Sequence, residues 1–294
     1  MRPVTQFTAT FVVAVIAVAA CAHSEPGPPA EGPSLPRLAA APGVSSPLCE
    51  SPACRVELEP PHLALASLAR DPSSPPDPIA SAHPFCANGM VMVEGEYCTE
   101  VREDCLDWLE PPSNSVARCA RFAPSVCVGE RVKKRFCIDR DEYVVPGGEL
   151  PLGDVSWAQA RDICESQKKR LCMETEWEFA CEGEAMLPYT TGYDRDATLC
   201  NFDRADLLDR DGKLRDQRAP ASETNRCVSP FGVRNMSGNV DEWVWRDRTW
   251  GEWRSALKGG WWMPARDRCR PATTAHDERF HELQTGVRCC ADAS

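Results

Sequence analysis

The chain has 294 residues, 17 cysteines and a formal charge of -11 at pH 7. An isoelectric point near 5.1 and the lack of a broad basic face leave nothing to displace counterions from a phosphate backbone, which excludes nucleic acid as a partner. Cysteine at this density belongs to an oxidising compartment, where thiols pair.

The opening residues, MRPVTQFTATFVVAVIAVAA, carry a basic Arg2, an apolar run from Phe11 to Ala20 and small residues before Cys21. That is the pattern of an export signal over residues 1–20, with an apolar run too short to span a bilayer. The junction Val18-Ala19-Ala20-Cys21 resembles a bacterial lipobox. The resemblance implies lipid on Cys21, membrane attachment without a spanning helix and residence in the bacterial cell envelope, on the periplasmic or outer-membrane surface. Ordinary cleavage near Ala20 is the alternative. Removing Cys21 from the thiol count leaves an even number for pairing.

Residues 21–84 are dense in Pro, Ala, Ser and Gly without helical or strand period, so they are expected to form a disordered tether. Cys49 and Cys54 lie close enough within it for a small local loop. The globular domain is expected over 85–294, long enough for one substantial core.

Its first strand is expected at 90–98 (MVMVEGEYC) and another at 135–145 (RFCIDRDEYVV). Between them Cys98, Cys105, Cys119 and Cys127 mark a disulfide-pinned insert rather than regular structure. The basic run RVKKR, 131–135, reads as a solvated strand approach. Ser156 then caps a helix because its hydroxyl accepts a free amide at the helix start, and Trp157, Ala160, Ile163 and Cys164 share one face. In a second helix Trp177, Ala180 and Cys181 form the inner face, while Glu174, Glu176 and Glu178 are expected to face solvent and favour its N-terminal half. From Gly183 to about Pro230 the chain is loop-rich, and Cys200, Cys227 or a cation would have to pin it.

Four stretches taken in order, VSWAQARDIC, KRLCMETEWEFAC, GVRNMSGNVDEW and KGGWW…RCR with TGVRCC, resemble the sulfatase-modifying-factor family, to which formylglycine-generating enzymes belong. The resemblance implies an α+β, C type-lectin-related fold, rich in loops and stapled by disulfides. It implies a Cys164–Cys289 bridge, and it matches Asn235, Gly238, Val240 and Glu242 to calcium ligands. Oxygen donors held by a tight turn suit that hard ion. A second calcium site at Asn201 and Asp211 matches poorly.

Formylglycine-generating enzymes oxidise a client sulfatase cysteine with dioxygen and copper held by a Cys-x-x-x-x-Cys pair, soft thiolates that select Cu(I). Here the second position is Cys269, the candidate catalytic residue, but the first is Pro264, and the serine after the paired glycines is Trp261. Cys172, Cys181 and Cys290 are the other thiols that could approach, and His276 is the histidine that could activate Cys269. Six tryptophans between Trp243 and Trp262 serve as core or as a ligand platform, with Trp250 and Trp253 the more exposed pair. The expected function is therefore a lipid-anchored binding module for a protein or glycan, without copper oxidase chemistry. The alternatives are a formylglycine-generating-type oxidase with an altered site and a purely structural envelope protein.

Overall fold

The computed structural model describes residues 84–294 except 115, 249 and 250. The leader, Cys21, the tether with Cys49 and Cys54, and Trp250 lie outside the described residues. No described helix is long and apolar enough to cross a membrane.

In chain order the domain begins with strands β1 (Met90–Cys98), β2 (Val101–Arg102), β3 (Cys105–Trp108), β4 (Cys119–Phe122), β5 (Val126–Cys127) and β6 (Arg131–Asp139). Helix α1 (Trp157–Ser166), strand β7 (Arg170–Leu171) and helix α2 (Glu174–Glu182) follow. The last elements are β8 (Asp241–Trp245), β9 (Ser255–Lys258), β10 (Ala272–Thr273), β11 (Thr285–Gly286) and β12 (Cys289–Asp292). One four-stranded sheet runs β1-β6-β12-β7 and a second runs β10-β9-β8-β11. This is the α+β, loop-rich and disulfide-stapled architecture that the sequence implied.

β1 and β6 pair antiparallel from Met90 opposite Asp139 to Cys98 opposite Arg131. Glu94 stands across from Arg135 and Glu96 across from Lys133, opposite charges on the wet part of the hairpin. The RVKKR run is thus the solvated half of a strand. That strand ends at Asp139 rather than at residue 145. Lys169 and the Cys289 amide capture the Asp139 carboxylate, and the chain then turns so that Glu142 is buried. The insert is also more regular than expected. Within the loops closed by Cys98–Cys127 and Cys105–Cys119, β2 pairs with β5 and β3 with β4.

Successive residues of a strand face opposite sides of their sheet, and β12 uses this to join two cores. Cys289 is bonded to Cys164 of α1, inside the cluster of Trp157, Leu171 and Trp243. Cys290 is bonded to Cys172, inside the cluster of Val93, Ile138 and Trp177. Among the described residues seven bridges form, and every cysteine from Cys86 to Cys290 is in one.

Ser156 caps α1 through a reciprocal box with Gln159. Two indoles then lock that helix start to the second sheet: Trp157 Nε1 donates to the Val244 carbonyl at 3.0 Å, and Trp243 Nε1 to the Val155 carbonyl at 2.6 Å. α2 departs from expectation, since Glu174 and Glu178 are buried. Glu178 accepts from Lys258 at 2.8 Å and Arg248 at 3.1 Å, and from the Tyr97 hydroxyl at 2.7 Å. Burial raises its pKa, but the Lys258, Arg270 and Arg248 charges together hold it below the usual carboxylate range. These cations come from 70 or more residues downstream, so the helix pattern alone carries no sign of them.

Between the sheets lies a fully buried ion pair, Arg288 with Glu242, at 2.7 Å. Arg288 also donates to the carbonyls of Asp139 and Arg234, and Trp177 Nε1 donates to Glu242 at 2.6 Å. Removing one partner of such a pair strands a charge in low dielectric. Arg288→Met is expected to destabilise the fold by about 3–5 kcal/mol, and Arg288→Met/Glu242→Gln by less, as read by urea denaturation. A single variant no less stable than the double would contradict this role.

Candidate functional site

β9 delivers Lys258 into the turn that opens GGWWMPARDRC. Gly259 and Gly260 have φ of +92° and +75°, backbone that a side chain rarely adopts. Space also demands glycine at 260, where an added Cβ would lie 2.1 Å from Asp267 Oδ1. The loop folds back on itself, and its far end is nailed down: Cys269, fully buried, is bonded to Cys181 of α2, 88 residues earlier in the chain. Its amide also donates to the Pro188 carbonyl at 2.9 Å. Pro264 is exposed. The Cys269 sulfur is therefore not a thiol in this structure, and there is none for His276 to activate; that ring stacks on Phe280 at 3.6 Å. The Cys172 and Cys290 sulfurs are bonded to each other.

Beside the turn lies a cavity of about 190 Å³, walled by Leu257, Trp261 and Met263 and carrying two carboxylates, Asp241 and Asp267. Asp241 is the first residue of β8 and Asp267 comes from the loop. Asp267 holds φ of +39° and bonds Arg195 at 2.6 Å, while Arg195 also pairs with Asp203 at 2.7 Å. The other oxygen, Asp267 Oδ1, is buried without a hydrogen-bond partner. Burial pushes the Asp267 carboxyl up to about 7 against the pull of Arg195. Burial and then the Asp267 charge push Asp241 up to about 8, opposed by a hydrogen bond from the Gly260 amide. Sequence reasoning missed both. The visible signal was an acidic pair, Asp241 and Glu242, opening the otherwise apolar strand DEWVW.

The residues matched to calcium lie together on one turn, in a different arrangement from a cation cage. The Asn235 side-chain amide donates to Glu142 Oε2 at 3.0 Å, and Asn239 donates to the same oxygen at 2.7 Å. Gly238 is packed against the Asn201 carbonyl and Val240 against Gly286. Both Glu242 oxygens are bonded to Arg288, whose guanidinium already neutralises that charge. The four residues do not fit a calcium site as a set. The oxygens left buried without a partner there are Asn235 Oδ1 and Glu142 Oε1. Asn201 is buried against Asn239 whereas Asp211 is exposed, so they do not meet. No group of three or more His, Cys, Asp or Glu side chains is gathered for a metal among the described residues. Of the clustered tryptophans, Trp243 and Trp262 are fully buried, while Trp245, Trp253 and Trp261 are partly exposed.

Residues 127–293 match the family described as sulfatase-modifying factor enzyme 1-like domain. No curated protein matches the chain. Among solved structures it is similar to CarF, at 16% identity over 67% of this chain and 100% of that one with a TM-score of 0.46. It is also similar to PvdO from Pseudomonas aeruginosa, at 18% identity over 69% of this chain and 94% of that one with a TM-score of 0.43. Treponema denticola variable protein 1 matches at 13% identity over 68% and 99%, with a TM-score of 0.40.

Asp267 is joined by Glu182, whose carboxyl burial pushes up to about 7 against its Arg270 partner. The folded chain keeps both protons at pH values where the unfolded chain, with carboxyl pKa of about 4, has released them. Each group therefore costs stability as pH rises above that ordinary value, and the cost is complete once pH passes about 7. The melting temperature is expected to fall from about pH 5 to about pH 8. A rise across that window, followed by differential scanning fluorimetry, would contradict the assignment.

Proposed function

The chain belongs to the sulfatase-modifying factor enzyme 1-like domain family, and from that premise we propose that it is a lipid-anchored binding module of the cell envelope in which recognition of a partner has replaced copper oxidase chemistry. The Cys181–Cys269 bond carries this reading. Cu(I) is held by soft, deprotonated sulfur. The position five residues before Cys269 is Pro264, with no sulfur, and the sulfur of Cys269 is already committed to a disulfide, so the residues present do not fit copper. What the loop offers instead is a walled cavity with two carboxylates, a concave place for a ligand group. The bridging of every described cysteine supports an oxidising compartment, and the Cys21 lipobox supports attachment to its membrane.

Purified protein with its disulfides intact, given Cu(I), dioxygen and a Cys-x-Pro-x-Arg peptide, is expected to return the peptide at unchanged mass. Conversion of the peptide cysteine to an aldehyde would overturn the reading in favour of an altered oxidase. Expressed in a bacterial host, the chain is expected in the membrane fraction and Cys21→Ser in the soluble one; a variant that stays with the membrane would remove the lipid anchor from the account.

A further inference from the structure

Asp241 and Asp267 pose an energetic question that the fold itself does not answer. A buried carboxylate is normally paired with a cation or fully hydrogen-bonded, because desolvating its charge is costly. Glu178, Glu182 and Glu242 obey this, each with a lysine or arginine in contact, and buried Glu142 is held on one oxygen by the Asn235 and Asn239 amides, away from the cavity lining. Asp241 has no ion-pair partner among the described residues, and its backbone donor is the Gly260 amide. Asp267 has Arg195 on one oxygen and nothing on the other. Both line one cavity that opens to solvent.

We propose, building on the binding-module reading above, that this cavity receives the ammonium or guanidinium end of a basic side chain presented by a protein partner. The shape matches the chemistry. Leu257, Trp261 and Met263 form an apolar collar for an alkyl stem, and the indole adds a face that attracts cations. A cation that passes the collar meets the two carboxylates and supplies the counter-charge that the protein withholds. Two side-chain carboxylates are a poor cage for calcium or magnesium, which take six or more oxygens.

The mouth indicates a protein rather than a free amine. Val116, 56% exposed, borders the cavity from the disulfide-pinned insert, which also exposes Leu106, Trp108 and Leu109. A partner therefore has apolar surface to bury beside its cation. Of the two rim arginines, Arg268 is bound to Glu103, while Arg266 has no ion-pair partner among the described residues. Arg266 favours a partner that carries an acidic residue next to the basic one.

The test is calorimetric titration of the disulfide-intact chain with the peptide Ala-Lys-Glu-Ala and with its norleucine counterpart, which keeps the stem and lacks the charge. The lysine peptide is expected to bind at least about tenfold more tightly. Asp241→Asn, which keeps an acceptor for the Gly260 amide, is expected to abolish that preference with little change in melting temperature. Should that variant fail to fold, Trp261→Ala serves in its place and is expected to weaken both peptides, the lysine peptide more because it also loses the cation-attracting face. Equal binding of the two peptides, a lysine preference that survives Asp241→Asn, or displacement of the lysine peptide by millimolar calcium would overturn the proposal. Failure here is distinguishable from failure of the parent reading, which shows as aldehyde formation in the copper assay whichever peptide binds.

Discussion

The bond between Cys181 and Cys269 is the constraint on which the candidate site depends. It ties the end of an irregular loop to the C-terminal half of α2 and so fixes the loop between two anchors, the other being the end of β9. With both ends held, the Gly259–Gly260 turn stays in its left-handed conformation, Asp267 is held against Gly260, and Asp241 at the start of β8 faces it across a small cavity. A closed loop of this length also removes unfolded-chain entropy, on the order of 4 kcal/mol in the chain-entropy model. The same covalent act that steadies the loop removes the thiol from it.

The domain carries many charges inside for its size, and they fall into two kinds. Glu178, Lys258, Arg270, Glu182 and Tyr97 form a connected network in which each charge meets an opposite one. The Arg288–Glu242 pair, closed by Trp177 and two carbonyls, is similar. Such arrangements contribute little net stability against desolvation, but they penalise any packing that separates the partners. They join α2, β8, β9 and the C-terminal segment into one arrangement. Asp241, the free oxygen of Asp267 and Glu142 are the second kind, desolvated without a cation in contact. Perturbed groups of that kind concentrate where a protein meets its ligand.

Much of the fold was legible in the sequence because the signals were local. The Ser156 cap, the inner face of α1 and the order of four motifs point to the right elements, and Cys164 and Cys289 are indeed bonded. The misreadings share one physical cause: burial of a charged group is decided by residues far along the chain. Glu178 looks like a solvated glutamate on a helix until Lys258 and Arg248 arrive from the β8–β9 region. Glu242, which the family resemblance matched to a calcium ligand, is paired in the fold with Arg288, 46 residues later. Asp241 gave a faint local clue, one of two acidic residues opening a strand that is otherwise apolar, but its meaning depends on Asp267 and on the glycine turn between them. The extra ladders of the insert were hidden for another reason, since strands of two residues in one ladder and four in the other are too short to show a clear period.

The account rests on Cys269 being a structural sulfur, and peptide mapping of the native, unreduced protein tests this most directly. Alkylation under denaturing but non-reducing conditions, proteolysis and mass spectrometry are expected to yield the Cys181 and Cys269 peptides joined as one disulfide-linked species, with no alkyl group on either. An alkylated Cys269 peptide, free of Cys181, would contradict the account and return a reactive thiol to the loop.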